Sequence, residues 1–271
     1  MTTEGHLAYE RHGNTGLITI DHPHRRNAMT PAMWAQWPEV MSATTTDPEV
    51  RVVVITGAGT TFCAGADISQ LDSIHDTELP TLTHRAIADC PKPTIAAING
   101  SCVGGGVQVA AACDIRISAT TARFGVTPAN LGIVYPLAPM ERLVRLIGPA
   151  ATKYLIFTAD LISAERARHI GLVDEILPDD VVMDRALRLA DHLAHKSQLT
   201  IQATKDLVDR MVDRTLDDAR VSAWMAQVAA SPDVAEGMEA FRTHRRPHFT
   251  WNGAGLPEEP TQPAVGSDPN R

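Results

Sequence analysis

The sequence predicts an α/β fold with an appended helical region, and three observations carry that reading. Short apolar runs that end in glycine, "RVVVITGAG" and "KPTIAAING", read as buried strands; helical segments alternate with them; and from about Val181 to Phe241 the apolar spacing is helical almost throughout. Alternating strands and helices place ligand sites in the turns between strand ends and helix starts. A chain of 271 residues is long enough for one large core plus an appendage. The expected division is a core over 1–195, a C-terminal helical region over 196–252 and a tail over 253–271.

Each element has a local reason. "GLITIDHP" reads as a strand, and "MTPAMWAQWPEVM" opens a helix with Thr30 as N-cap and Pro31 at the first helical position. Pro38 is expected to limit or kink that helix, because proline lacks the N–H that an interior turn needs. "RVVVITGAG" is β-branched and continuous, the mark of a strand buried on both faces. After a long loop come the helix "TLTHRAIADC", the strand "KPTIAAING", an apolar helix "VQVAAACD" opening near Val107, and "IRISAT". In "LISAERARHIGLVDEIL", Ser163 caps a short helix, Gly171 ends it in the left-handed conformation, and "LVDEIL" returns to strand. The long C-terminal helices need a partner face, whereas "NGAGLPEEPTQPAVGSDPNR" is rich in Pro, Gly and polar residues and predicts a flexible tail.

Composition narrows the function. At 44% hydrophobic and 21% charged the chain is of ordinary globular make-up, and its formal net charge of −8 argues against duplex nucleic acid, which needs a broad basic surface. Arg25, Arg26, Lys92, Arg245 and Arg246 are the candidates for a local basic pocket. The four cysteines form no CxxC pair, so buried reduced thiols and a cytoplasmic location are expected. No run of about 18 apolar residues and no signal pattern predicts a membrane partner. "HPH" at His22–His24 lacks further ligands at metal spacing, so no metal is expected.

Gly57 and Gly59 follow a strand, but the third glycine position of a dinucleotide fingerprint holds Phe62 and no helix opens there. More informative are two glycine-containing turns about forty residues apart, "FCAGAD" and "GSCVGGGVQ", each after a strand. Taken singly, either turn reads equally well as a tight connection that binds nothing. Facing each other, they could each aim one backbone N–H at a common point, one of them at a helix N-terminus, and so form an oxyanion hole. Glycine is suited to both, since a side chain would keep a ligand carbonyl out of range.

In this order, with "HPHRRNAM", "KPTIAAINGSCVGGG", "FGVTPANLGI", "LISAERARHIGLVDEIL" and "EGMEAFRTHRRPHF", the motifs resemble the crotonase superfamily, also called the enoyl-CoA hydratase/isomerase family, over nearly everything except the tail. The resemblance implies a ClpP-like spiral of ββα turns whose C-terminal helices pack in trimers or hexamers. It also implies an acyl-CoA thioester as ligand, with coenzyme A part of the substrate and no separate cofactor. Carried over residue by residue, the N–H groups of Ala66 and Gly105 would hold the thioester oxygen, with Ala64, Gly65 and Asp67 shaping the first turn and Gly104 the second. Arg26, Asn27 and Ala28 resemble the adenine-side contact, and Arg246 and Phe249 resemble residues that reach a neighbour's coenzyme A.

The chain departs from the family where acid–base chemistry is expected. Gln108 and Pro128 stand where hydratases of this kind carry glutamates, and Pro136 where other members carry an acid. An amide orients water but does not take its proton, and such groups are worth about 10²- to 10⁴-fold each. "TPANLGIVY", with Thr127, Asn130 and Tyr135, resembles the corresponding segment of bacterial methylmalonyl-CoA decarboxylase, in which a threonine and a tyrosine flank the reacting carboxylate; that enzyme has a histidine in place of Ala66 and a glutamate in place of Gln108. Decarboxylation reaches the same enolate by losing CO₂ and needs no strong base to start. The sequence therefore leaves three readings: enoyl-CoA hydratase/isomerase chemistry, malonyl-type decarboxylation, and a non-catalytic acyl-CoA binding protein. Asp72, His75, Asp76 and Glu78 are candidates for a substitute base.

Overall fold

The structure is a computed structural model and describes residues 4–75, 78–253 and 255–256. In chain order the elements are β1 (His6–His12), β2 (Thr15–Asp21), α1 (Pro31–Thr46), β3 (Val52–Gly57), β4 (Thr61–Cys63), α2 (Asp72–His75), α3 (Leu79–Ala88), β5 (Thr94–Ile98), β6 (Ser101–Val103), α4 (Gly105–Ala112), β7 (Ile115–Ala119) and β8 (Arg123–Gly125). There follow α5 (Leu137–Thr158), β9 (Ile162–Ser163), α6 (Ala164–His169), β10 (Glu175–Leu177), α7 (Val182–Ala194), α8 (Gln198–Asp213), α9 (Asp218–Ala230) and α10 (Asp233–Arg242). The α/β alternation read from the sequence is observed.

Two sheets organise the core. A large one has the order β1-β2-β3-β5-β7-β10, parallel except for the β1–β2 hairpin; a small one has the order β4-β6-β8-β9, with β8 and β9 antiparallel. Each repeat sends one strand to the large sheet and the next to the small one: β3 then β4, β5 then β6, β7 then β8. This is the ββα spiral. The centre of the large sheet is dry, since every residue of β3 and β5 is buried, as continuous apolar runs require.

Thr30 caps α1 through a bond from Met33 N–H at 3.3 Å, and Ser163 caps α6 from Arg166 N–H at 3.2 Å. Gly171 takes a left-handed φ of +87° just past α6. One expectation is corrected in part: Pro38 does not limit α1, which continues through it to Thr46. Pro38 sits on the exposed face, and the Trp34 carbonyl that it leaves without a helical donor accepts from the Thr83 hydroxyl of α3 at 3.2 Å. The freed acceptor is thus satisfied by a neighbouring helix. A second correction concerns Lys92, which is buried and donates to the Thr44 and Asp47 carbonyls at 2.7 Å each, so it belongs to no phosphate pocket.

The helices after α7 are tied down by polar pins. Lys205 of α8 reaches Asp114 at 2.9 Å, and Asp206 accepts from Arg220 and Trp224 of α9 at 2.7 Å each. They also leave Met211, Met225, Met238 and Phe241 exposed. The expected boundary at 195/196 falls in the turn between α7 and α8, and the expected tail, apart from Gly253, Gly255 and Leu256, lies outside the described residues.

His84 of α3 supplies a stability prediction. It is buried, its Nδ1 has no hydrogen-bond partner among the described residues, and burial together with Arg142, Arg145 and Arg85 lowers its pKa to about 4. The unfolded chain therefore binds the extra proton first, so stability is full above about pH 6.5 and is lost as pH falls towards 4. At 1.36 kcal/mol per unit the loss is on the order of 3 kcal/mol. Thermal melts from pH 7 to 4 should show this acid limb, and His84→Gln should flatten it; an unchanged limb would assign the acid sensitivity elsewhere.

Candidate active site

The site begins with a loop stitched to a turn. The Asn27 side chain is fully buried; its carbonyl accepts from His22 N–H at 3.0 Å, and its amide donates to the Ala58 and Thr61 carbonyls at 2.9 and 2.6 Å. This fixes Arg26 and Asn27 at positive φ, +51° and +56°, a conformation in which asparagine is enriched among residues other than glycine. The Arg26 carbonyl then accepts from Ala64 N–H at 3.0 Å, Met29 N–H donates to the Gly65 carbonyl at 2.8 Å, and Asp67 N–H donates to the Met29 carbonyl at 2.9 Å. Ala66 bridges Met29 in parallel fashion, so its neighbours' polar groups are used and its own N–H points the other way. Among the described residues that N–H has no acceptor.

The second turn follows β6. Gly104 has φ +52° and ψ −110°, open only to glycine, and its N–H donates to the Gly125 carbonyl at 2.8 Å. Helix α4 starts at Gly105, two residues before the expected Val107, so Gly105 N–H is a first-turn donor with no helical acceptor, and none is supplied elsewhere among the described residues. The two turns face each other: a methyl group on Gly65 would stand 3.5 Å from the Gly105 nitrogen, and one on Gly104 would stand 3.8 Å from the Gly65 Cα.

Between them lies a cavity of about 110 Å³ lined by Ala64, Gly65, Ala66, Gly104, Gly105, Gln108, Thr127, Pro128, Tyr135 and Pro136, with Trp34, Ile74, Pro80, Leu131 and Ile133 among its apolar walls. Ile68 at its edge is 67% exposed, which marks the mouth. Among its described lining residues there is no Asp, Glu, His, Lys or Arg. Glu78 is exposed and does not line it, Asp72 and His75 lie in α2, and Asp76 lies outside the described residues.

Gln108 is buried in α4, and its amide N–H donates to the Pro80 carbonyl at the start of α3. Its oxygen accepts nothing among the described residues. The Tyr135 hydroxyl lies 3.4 Å from the Gly104 carbonyl; burial holds its pKa well above the ordinary phenol value, so it stays protonated. Asp67 accepts from the Ser69 N–H and hydroxyl at 3.0 and 2.7 Å, which lowers its pKa and stabilises the end of the first turn. The structure therefore gathers Ala64, Gly65, Ala66, Gly104, Gly105, Gln108, Thr127 and Tyr135 around one cavity, with Ala28 and Arg26 on the adjoining loop. Arg246 and Phe249, expected to reach a neighbour's coenzyme A, lie away from this chain's own cavity: Arg246 is exposed and Phe249 packs against Gly237 of α10. Arg245 is paired with Glu236 at 2.6 Å.

A sequence profile of the enoyl-CoA hydratase/isomerase family matches residues 10–252. The chain belongs to that family. It is 34% identical to a putative enoyl-CoA hydratase of Thermus thermophilus, over 88% of this chain and 98% of that protein. It is 33% identical to the 2,3-dehydroadipyl-CoA hydratase of Escherichia coli, over 90% and 98%. Among solved structures, a putative enoyl-CoA hydratase/isomerase family protein from Hyphomonas neptunium superposes with a TM-score of 0.85 at 34% identity, covering 90% of this chain and 97% of that one. The family's fold is the spiral described above.

Sequence reasoning overlooked Asn27 as the stitch, Trp34 and Pro80 as cavity walls, and Cys63 beneath the first turn. Asn27 and Cys63 left a signal, their places inside "HPHRRNAM" and "FCAGAD". Trp34 and Pro80 reach the site through packing between elements distant in sequence. Among the described residues no group of His, Cys, Asp and Glu is placed to hold a metal, and no helix is long and apolar enough to cross a membrane.

Proposed function

We propose that the protein binds an acyl-CoA thioester and stabilises its enolate through Ala66 and Gly105, acting within its family as a lyase on a short, uncharged 2-enoyl-CoA. The single observation that carries this is the pair of backbone N–H groups, each without an acceptor among the described residues, on two turns that meet over an uncharged cavity. A thioester Cα=Cβ bond accepts a nucleophile when the carbonyl oxygen can take negative charge, and each preorganised donor is worth about 3 kcal/mol. Several relatives are hydratases, among them a crotonyl-CoA hydratase and a short-chain-enoyl-CoA hydratase, and they support the choice of reaction.

In this reading the oxygen of a water bonds to Cβ as the Cα=Cβ π pair moves to the thioester oxygen, the water's surplus proton passes to solvent, and a proton from solvent then reaches Cα as the enolate collapses. The Gln108 oxygen orients the water without taking its proton, and Tyr135 is a neutral donor. Turnover is therefore slow beside an enzyme with two carboxylates. Malonyl-type decarboxylation is the second reading, favoured by one observation: no carboxylate among the described lining residues repels a substrate carboxylate. Against it, the same lining offers that carboxylate no cation. Exposed apolar residues on α8–α10 supply the face for a homotrimer or hexamer.

Purified protein incubated with crotonyl-CoA, methylmalonyl-CoA and butyryl-CoA separates the readings. Slow hydration supports the first, CO₂ release the second, and tight binding without turnover a binding protein; no affinity for any of the three would overturn the site itself. Tyr135→Phe is expected to lower turnover at least about tenfold with KM little changed, and undiminished turnover would remove the phenol from the mechanism.

A further inference from the structure

Cys63, the last residue of β4, touches both turns of the site. Its Sγ accepts from Gly65 N–H at 3.3 Å in the first turn. Its carbonyl and Cβ press on the first turn of α4: a methyl group on Gly106 would stand 2.4 Å from that oxygen and 3.0 Å from that Cβ. Cys63 also pairs with Cys102 in the small sheet, two residues before Gly104. The side chain is fully buried, and burial pushes the thiol up to about 12, so it is a neutral acceptor and no nucleophile.

We propose that Cys63 is a positioning residue that sets the separation of the Ala66 and Gly105 N–H groups, through its Sγ bond to Gly65 on one side and its backbone contact with Gly106 on the other. The proposal rests on the oxyanion reading above and adds to it the part that fixes the geometry. Gly65 has φ +105°, so its neighbourhood is held by few local preferences, and the thiol is the acceptor that satisfies its N–H. Without that acceptor a buried donor is orphaned, and the turn relieves this by rotating towards another. A donor displaced by about 1 Å loses much of its catalytic effect, up to 10²-fold.

The test is the carbonyl stretching band of bound crotonyl-CoA carrying ¹³C at the thioester carbon, read with kcat, KM and melting temperature. The native protein should move the band to lower frequency than in water. Cys63→Ala and the better-filling Cys63→Val should lose part of that shift and about tenfold or more in kcat, with affinity for crotonyl-CoA little changed. Cys63→Ser, which keeps an acceptor, should restore most of the band position. Cys113→Ala, which removes an equally buried thiol bonded to the Val109 carbonyl, should leave the band in place. A native band shift retained in full by Cys63→Val, or a variant altered only in melting temperature, would overturn the role of Cys63 alone. A native band at its solution position would overturn the oxyanion site and this proposal with it.

Discussion

Gly106→Ala is expected to lower turnover about a hundredfold, or to abolish polarisation of the thioester carbonyl. A Cβ at that position would lie 2.4 Å from the Cys63 carbonyl oxygen, roughly 1 Å inside ordinary van der Waals contact. The obstacle is backbone in a paired strand and does not rotate away, so the start of α4 must give. That start carries the Gly105 N–H, and a misplacement of about 1 Å is worth around 10²-fold. Overpacking also costs about 1–3 kcal/mol, visible in the melting temperature. A variant that melts lower yet turns over normally would show that α4 does not donate to the substrate.

The second large effect is expected from Gln108→Glu, where two consequences oppose. The carboxylate supplies the missing base, and hydration of crotonyl-CoA should rise by about tenfold or more. The same change deletes the amide N–H that donates to the Pro80 carbonyl and sets an acid beside that oxygen, at a cost of about 1–3 kcal/mol. Burial disfavours the charged carboxylate, so the stability loss should grow as pH rises above the ordinary glutamate range, near 4.3. Hydration that stays flat across the pH range would remove Gln108 from the water site, and unaltered stability would show that the Pro80 bond contributes nothing net.

Much of the fold was legible because its causes are local. A β-branched run buried on both faces, a serine or threonine before a helix, and a glycine after one each act within a few residues, and β3, the caps at Thr30 and Ser163, and Gly171 appear where the sequence placed them. Pro38 misled because the local rule holds only until another element intervenes. The carbonyl it strands on Trp34 is satisfied by Thr83, 49 positions later, and no local pattern carries that information. The helix start at Gly105 instead of Val107 has a similar origin, since the left-handed Gly104 is held by a bond to the Gly125 carbonyl.

For the site, the sequence by itself determined the chemistry available: two glycine-containing turns, an amide and a proline where carboxylates are expected, a tyrosine eight residues beyond Thr127. Side-chain identity is fixed by the chain, and a missing carboxylate cannot be restored by folding. Only the tertiary structure decided that Gly65 and Gly104 lie in contact, that Gln108 is anchored to Pro80, and that Lys92 faces inward to carbonyls. Those facts depend on distances between segments tens of residues apart, which close packing of the two sheets and their helices sets and local preference does not.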